Sequence, residues 1–199
     1  MKILSFVDLH GSLKALEKIQ QLYKREKPDI VICAGDISIF EQNIDYLVHR
    51  VAKLGAPLLM IQGNHEDIVA TRRACSKYDN MIFMHGQAKV INDVLFLGWG
   101  GGGFSTRDEV FEKKQKVFEK IMKDYKKVVM ISHAPPYKTR LDRIIDENCG
   151  NKTLRNFIQK HRNIVLAVSG HLHENEGKED RLGNARIINP GPFGKVTTI

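Results

Sequence analysis

The stretch Ile3-Leu4-Ser5-Phe6-Val7-Asp8-Leu9-His10-Gly11 joins a short apolar strand to a carboxylate and an imidazole. Four later apolar runs end in the same manner, in Gly35-Asp36, Gly63-Asn64-His65-Glu66, Ser132-His133 and Gly170-His171-Leu172-His173. An Asp or a His after a single strand is usually a turn or capping residue. Because α/β proteins build their sites at the carboxyl ends of strands, five such endings together predict one shared site.

Apolar spacing around these endings alternates strands with helices over the first half of the chain. Residues 13–23 and 44–54 repeat apolar side chains at helical spacing, and Ser12 is placed to cap the first helix. The middle adds short strands, with a hairpin turn at Asn92-Asp93. We therefore predict an α/β fold with one domain over residues 1–199, built on one mixed sheet or on two packed sheets.

A long helix is predicted over about residues 108–125, followed by further strands. Its apolar stripe is predicted to consist of Val110, Val117, Phe118, Ile121, Met122 and Tyr125. The tail contains three short apolar segments separated by turn residues, such as Gly183-Asn184. These segments predict closing strands at the end of the chain.

The net charge of +8 is compatible with a polyanionic partner but does not indicate one. Basic residues are scattered, and the densest stretch, residues 113–127, is interrupted by Glu119 and Asp124. That stretch also lacks the interleaved aromatic residues on which bases stack. Nucleic acid is therefore allowed as a partner but is not indicated.

The three cysteines, Cys33, Cys75 and Cys149, have no paired spacing, so the sequence predicts neither a disulfide framework nor a thiolate zinc site. The first eight residues are typical of a strand rather than of a signal peptide. The apolar runs are too short to span a bilayer. We expect a cytoplasmic protein without membrane attachment.

The chemistry of the five strand endings indicates divalent metal ions. Imidazole and carboxylate groups without thiolates suit Mn²⁺, Fe, Zn²⁺, Co²⁺ or Ni²⁺, and seven candidate ligands suit two ions better than one. They are Asp8, His10, Asp36, Asn64, His133, His171 and His173. Asp36 is the natural bridge because a carboxylate has two oxygens. Two divalent ions, two aspartates and a bridging hydroxide would leave a charge of about +1, which favours phosphoryl chemistry.

These blocks resemble the calcineurin-like metallophosphoesterase superfamily, whose pattern is D-x-H, G-D, G-N-H-[DE], a lone H and G-H-x-H. All five are present in order between Asp8 and His173. The resemblance implies a four-layer α/β/β/α sandwich of two mixed sheets. It implies hydrolysis of a phosphomonoester or phosphodiester, with Mn²⁺ as the expected ion.

The resemblance also implies how the ligands divide between two metal ions. It implies that Asp8, His10, Asp36 and His173 hold the first ion. It implies that Asp36, Asn64, His133 and His171 hold the second.

The resemblance implies that His65 is no primary ligand but faces the phosphate and protonates the leaving oxygen, a task that suits an imidazole near neutral pH. One departure separates the chain from protein phosphatases of the superfamily, because Gly35-Asp36 is not extended to G-D-x-x-D-R-G. This departure also leaves the carboxylate partner of His65 unassigned, with Glu66 only a neighbour in sequence.

Two other functions stay open: a protein-interaction scaffold on the same fold, and a nuclease. The segment Gly98-Trp99-Gly100-Gly101-Gly102-Gly103 contains a G-x-G-x-x-G pattern, but no acid ends the following strand as a dinucleotide site requires. We expect a loop near the site, with Trp99 and Phe104 lining a pocket. The remaining histidines, His49, His85 and His161, are expected to be structural.

Overall fold

The computed structural model describes residues 1–199 and contains two large sheets, a two-stranded ribbon and five α-helices. The helices are Leu13–Glu26 (α1), Ile44–Ala52 (α2), Ile68–Cys75 (α3), Glu109–Met122 (α4) and Lys152–Lys160 (α5). The strands are Lys2–Phe6 (β1), Ile30–Cys33 (β2), Leu58–Met60 (β3), Met81–Phe83 (β4), Ala88–Ile91 (β5), Val94–Trp99 (β6), Lys127–Ser132 (β7), Arg143–Ile144 (β8), Glu147–Asn148 (β9), Ile164–Val168 (β10), Glu179–Leu182 (β11), Ala185–Ile188 (β12) and Lys195–Thr198 (β13).

Parallel strands form the centre of both large sheets. The first sheet has the order β13-β1-β2-β3-β4, in which only β13 is antiparallel to its neighbour. The second has the order β11-β12-β10-β7-β6-β5, in which β6, β7, β10 and β12 are parallel and the two edge strands are antiparallel. The carboxyl ends of the parallel strands in each sheet therefore lie along one edge.

The two sheets pack face to face. Because alternate residues of each strand point to opposite sides, each sheet has one face towards the other sheet and one face towards helices. Ile3 and Ile32 of the first sheet belong to one apolar cluster with Phe96, Val129 and Leu166 of the second. The opposite face of the first sheet packs against α1 and α2, and that of the second packs against α4 and α5. This arrangement confirms the α/β/β/α sandwich and decides for two packed sheets.

The long helix α4 is confirmed, and its predicted buried stripe is right at Phe118 and Met122 but wrong at Val110 and Val117. Phe111, Phe118 and Met122 are buried, whereas Val110 and Val117 are 66% and 47% exposed. The sequence offers apolar residues at both sets of positions. The ring of Phe111 lies 5.2 Å from those of Trp99 and Phe157, so the larger aromatic set is the one that the core takes.

Other local predictions are confirmed. The hydroxyl of Ser12 accepts a hydrogen bond from the Ala15 N–H at 3.2 Å and caps α1. The tail forms β11, β12 and β13, and β5 and β6 form the hairpin around Asn92-Asp93. None of the helices combines the length and the apolar character that crossing a bilayer requires.

Candidate metal centre

The strand endings of both sheets meet at one place. The first sheet contributes side chains after β1, β2 and β3, and the second contributes side chains after β7 and β10. Nitrogen and oxygen atoms of these side chains form three overlapping groups. Within each group the atoms lie within 4.8 Å of one another, so each group could hold a cation. The groups consist of Asp8, His10 and His173; His10, Asp36 and His65; and Asp36, His133 and His171.

The first part of the centre lies around His10. Its Nε2 is 3.1 Å from Nε2 of His173 and 3.7 Å from Oδ2 of Asp36. Oδ1 of Asp8 lies 4.0 Å from the same nitrogen of His173. Two ligands of one ion, each about 2.0–2.2 Å from it, are separated by about 3.0–3.6 Å. The spacing of these atoms is therefore close to that of ligands around one cation.

The second part lies around His133, which is fully buried. Its Nε2 is 3.3 Å from Oδ2 of Asp36 and 3.0 Å from Oδ1 of Asn64. Its Nδ1 lies 2.9 Å from the carbonyl oxygen of Ala34, to which the Nδ1–H donates. This outer hydrogen bond orients the ring so that Nε2 faces the centre. Oδ2 of Asp36 adjoins both parts, which is the geometry that a bridging carboxylate needs.

Several buried polar atoms of the centre have no hydrogen-bond partner in the protein. They include Oδ1 of Asp8, Nδ1 of His65 and Nε2 of His171. A buried polar atom without a partner costs about 1–3 kcal/mol, so the arrangement is unfavourable for the protein alone. Imidazole nitrogens, carboxylate oxygens and one amide oxygen suit a first-row divalent ion. The residues therefore fit divalent metal ions.

Burial and mutual charge shift the pKa values of the centre in opposite directions. Burial raises the pKa of Asp8 to about 6, and the nearby charge of Asp36 adds to this effect while that of His133 opposes it. Burial alone would also raise the pKa of Asp36, but the hydrogen bond and charge of His133 lower it to about 2. Burial, together with the charge of His133, lowers the pKa of His171 to about 4. Without metal, the Asp36 carboxylate and the His133 imidazolium therefore form a buried ion pair.

Four of the candidate ligands have a left-handed backbone, which is uncommon for residues other than glycine. The φ angles are 55° at Asp8, 45° at His10, 50° at Asp36 and 70° at His171. Hydrogen bonds between adjacent loops hold these conformations. The N–H of Asp8 donates to the carbonyl oxygen of Gly35 at 3.1 Å, and that of His10 donates to the carbonyl oxygen of Asp36 at 3.0 Å. Strain of this kind costs about 1–3 kcal/mol per residue and clusters at functional sites.

Two glycines of the motifs allow close approach to the aspartates. A Cβ atom at Gly63 would lie 1.8 Å from Oδ1 of Asp36. A Cβ atom at Gly170 would lie 2.2 Å from Cγ2 of Val7 and 2.6 Å from Oδ2 of Asp8. Neither position has room for a side chain. The motif glycines are therefore required by packing against the carboxylates.

Glu66 has a role that the sequence did not reveal. Its buried carboxylate accepts hydrogen bonds from the backbone N–H groups of Asp36, Ser38 and Gly63 at 3.0, 2.8 and 2.9 Å, and from the Ser38 hydroxyl at 3.0 Å. Burial raises its pKa, although the hydrogen bonds from Gly63 and Ser38 oppose the shift. The carboxylate thus joins the loops after β2 and β3. Its position at the end of the third motif was the only sequence signal.

His65 lies at the edge of the centre, and its carboxylate neighbour is Asp36. Nε2 of His65 is 4.0 Å from Oδ2 of Asp36, while the His65 backbone N–H donates to Oδ1 of Asp36 at 3.0 Å. The exposed ring of Phe40 packs against the imidazole, with 4.7 Å between ring centroids. Asp36 therefore orients His65 through the backbone as well as through its charge.

The glycine-rich loop after β6 lies beside the centre, in part as expected. The ring of Phe104 is exposed and lies 4.7 Å from that of His171. The expectation for Trp99 is wrong, because its side chain is buried, stacks on His85 and donates a hydrogen bond of 2.7 Å to Asp108. Nδ1 of His85 accepts the N–H of Gly100 at 3.0 Å. Trp99 and His85 therefore support the loop from the core side.

Comparison with known proteins points the same way as the geometry. A family model described as calcineurin-like phosphoesterase matches residues 1–175. An uncharacterized protein of Methanocaldococcus jannaschii is 29% identical over 204 residues, which cover 96% of this chain and 88% of that protein. A probable glycerophosphodiester phosphodiesterase of Arcobacter nitrofigilis is 26% identical over 181 residues, which cover 84% of this chain and 64% of that protein.

Solved structures share the fold at low sequence identity. A protein of Thermus thermophilus superposes with a TM-score of 0.80 at 20% identity, covering 96% of this chain and 88% of its own. A dimetal phosphatase from Danio rerio superposes with a TM-score of 0.67 at 13% identity, covering 94% of this chain and 86% of its own. These likenesses establish a common architecture.

Proposed function

Because the chain belongs to the calcineurin-like phosphoesterase family and is thereby a hydrolase, we propose that it hydrolyses a small phosphate ester with two divalent metal ions. The observation that carries this proposal is the position of Asp36. One of its oxygens, Oδ2, lies 3.3 Å from Nε2 of His133 and 3.7 Å from Nε2 of His10. A carboxylate between two groups of imidazoles is suited to bridging a pair of ions.

The proposed ligands divide between the two ions along the two parts of the centre. Asp8, His10, Asp36 and His173 would hold the first ion. Asp36, Asn64, His133 and His171 would hold the second. Two bound ions would activate a water molecule for attack and neutralise the charge that develops on the phosphoryl oxygens. Mn²⁺ is the ion that we propose first.

His65 is proposed to contact the phosphate and to protonate the leaving oxygen. Its ring lies 5.0 Å from that of His10, so it adjoins the first proposed ion. Its buried Nδ1 has no hydrogen-bond partner in the protein, and its side chain is partly exposed at the edge of the centre. An imidazole at this position is suited to donating a proton to the leaving oxygen of a bound ester.

Hydrolysis by the chelated protein, before and after addition of Mn²⁺, tests the proposal. The substrates are p-nitrophenyl phosphate and bis(p-nitrophenyl) phosphate, and bound metal is counted in parallel. We expect Mn²⁺ to restore turnover, Asp36→Asn to lose both metal and turnover, and His65→Ala to keep two ions but lose about 10²–10⁴-fold in rate. His49→Ala is the matched control, because His49 contacts Tyr78 outside the centre.

The same experiment separates the enzyme from a scaffold on this fold. Two ions bound per chain without turnover of either ester would favour the scaffold. Absence of bound metal at saturating Mn²⁺ would refute the proposed centre itself.

A further inference from the structure

A pocket of about 290 Å³ opens beside the metal centre and includes His10 in its wall. Leu13 of α1 and Leu47 of α2 line it from below, and Ile39 and Tyr46 line its sides. Because His10 is a proposed ligand of the first metal ion, an occupant of the pocket would lie beside that part of the centre. The pocket's volume is near the lower end of the range of about 300–1,000 Å³ that is usual for ligand pockets, so it has room for a ring-sized group.

The pocket has no acidic, lysine or arginine side chain in its lining. The cation next to it is Arg50, which donates a hydrogen bond of 2.7 Å to the hydroxyl of Tyr46 and lies 5.7 Å from the centroid of that ring. A second phosphate or a carboxylate would have no pocket-lining charge to bind. An ammonium group would have none either, and it would lie beside two metal ions. The chemistry of the walls therefore favours an uncharged group.

Apolar side chains around the pocket stay exposed to solvent. Leu13, Ile39 and Tyr46 are 49%, 42% and 46% exposed, and Phe40, which packs on His65, is 73% exposed. Exposed apolar side chains that cluster beside a polar centre are a candidate ligand-binding surface. It would gain free energy by covering an apolar or aromatic group.

The segment that forms the pocket rim has an unfavourable backbone. Phe40, Glu41 and Asn43 have φ angles of 46°, 63° and 56°, in the left-handed region. Asn43 precedes α2 at the capping position, yet its side chain makes no capping hydrogen bond. Gln42 and Asn43 line the pocket with exposed side-chain amides, which can hydrogen-bond to a ligand. Strain and unused caps of this kind persist where the conformation serves a site.

We propose that this pocket binds the uncharged apolar or aromatic alcohol group of the substrate, between the side chains of Leu13, Ile39 and Tyr46. The assignment rests on the proposed function. The alcohol in the pocket is the leaving group, because Phe40 at the rim packs on His65, the proposed proton donor. The pocket is thus a specificity site, and the substrate class is a phosphate ester of an apolar or aromatic alcohol.

The test compares a benzyl ester with a methyl ester of the class that the enzyme prefers, either benzyl and methyl phosphate or dibenzyl and dimethyl phosphate. The two alcohols are similarly acidic, so intrinsic reactivity largely cancels in the ratio of the two kcat/KM values. We expect the Mn²⁺-loaded protein to prefer the benzyl ester by roughly tenfold or more, as one apolar contact allows. Calorimetric binding of benzylphosphonate and methylphosphonate gives a readout that is independent of turnover.

Variants of the walls locate the preference. Tyr46→Ala and Ile39→Asp should bring the benzyl-to-methyl ratio close to one in turnover and in binding, whereas Tyr46→Phe should keep it. Val117→Asp is the matched control, since Val117 is a half-exposed β-branched residue of α4 outside the pocket. It should keep the wild-type ratio.

The two possible failures are distinguishable. Metal-dependent turnover with equal kcat/KM values for the two esters, or a benzyl preference that Tyr46→Ala and Ile39→Asp leave unchanged, would overturn the pocket assignment alone. Metal-dependent turnover of the p-nitrophenyl esters without turnover of either alkyl ester would also overturn the pocket assignment alone. Absence of metal-dependent turnover for all of these esters would overturn the proposed function and the pocket assignment with it.

Discussion

Truncation of Glu66 should destabilise the metal-free protein more than the loss of any exposed glutamate. In Glu66→Ala, the backbone N–H groups of Asp36, Ser38 and Gly63 lose their acceptor. Each buried donor without a partner costs about 1–3 kcal/mol. Because water can enter the space left by the carboxylate and satisfy some of these donors, we expect a loss of about 3–5 kcal/mol in the free energy of unfolding.

Glu66→Gln separates the charge from the shape of the side chain. Oε2 accepts from Asp36 and Gly63, whereas Oε1 accepts from the backbone N–H and the hydroxyl of Ser38. The amide NH₂ group is best placed towards Ser38, whose hydroxyl can turn to accept a hydrogen bond while its N–H loses its acceptor. One donor is thus left unpaired instead of three, and we expect a loss of about 1–3 kcal/mol.

Urea unfolding in the presence of a chelator measures these losses without a contribution from metal. Glu17→Ala is the control, because Glu17 is exposed on α1 and should change stability by less than about 0.5 kcal/mol. Mn²⁺ binding by the folded Glu66→Ala protein should also weaken, since the loops that carry Asp36 and Asn64 lose their common acceptor. A Glu66→Ala variant as stable as the Glu17→Ala control would refute the reasoning.

Three further outcomes follow from the geometry. Gly63→Ala should abolish metal binding, measured as metal content, because its Cβ would overlap Asp36. Gly55→Ala is the control: it has open space around it and should lose only about 1 kcal/mol in the free energy of unfolding, through its φ of 87°. Mn²⁺ at 100 times its Kd should stabilise the protein by about 2.7 kcal/mol for each site, which raises Tm by about 5–11 °C for each site. A thermal melt measures this shift, and Asp36→Asn should abolish it. Phe111→Ala should cost about 3–5 kcal/mol in urea unfolding, and an equal loss for Val110→Ala would contradict the observed orientation of α4.

The elements that carry strong local patterns could be predicted from the sequence. Strands ending in Asp, Asn or His identified the edge of the sheets at which the centre lies, because parallel strands bring their carboxyl ends together whatever the loops do. The sandwich itself was implied by resemblance, since the apolar pattern left one or two sheets open. The extent of a single domain over residues 1–199 stays a prediction, as do the ligand roles.

Features that depend on tertiary contacts could not be predicted. The predicted stripe of α4 contained Val110, but the packing of Phe111 against Trp99 and Phe157 buries the neighbouring position instead. The sequence left the partner of His65 unassigned and showed Glu66 only as its neighbour, whereas backbone donors from two neighbouring loops surround the Glu66 carboxylate. The left-handed backbone at the candidate ligands was not predicted, although Asp and His adopt it more often than other non-glycine residues do.

The proposed metal centre would take Asp8, Asp36 and Asn64 from loops of one sheet and His133 and His171 from loops of the other. Neither sheet alone carries a complete ligand set, so the centre cannot form before the two sheets have docked. Bound ions would then hold the two sheets together, because each ion has ligands from both. Substitutions deep in the intersheet core, such as at Phe96 or Leu166, would change metal affinity by shifting one half relative to the other, without contact with any ligand.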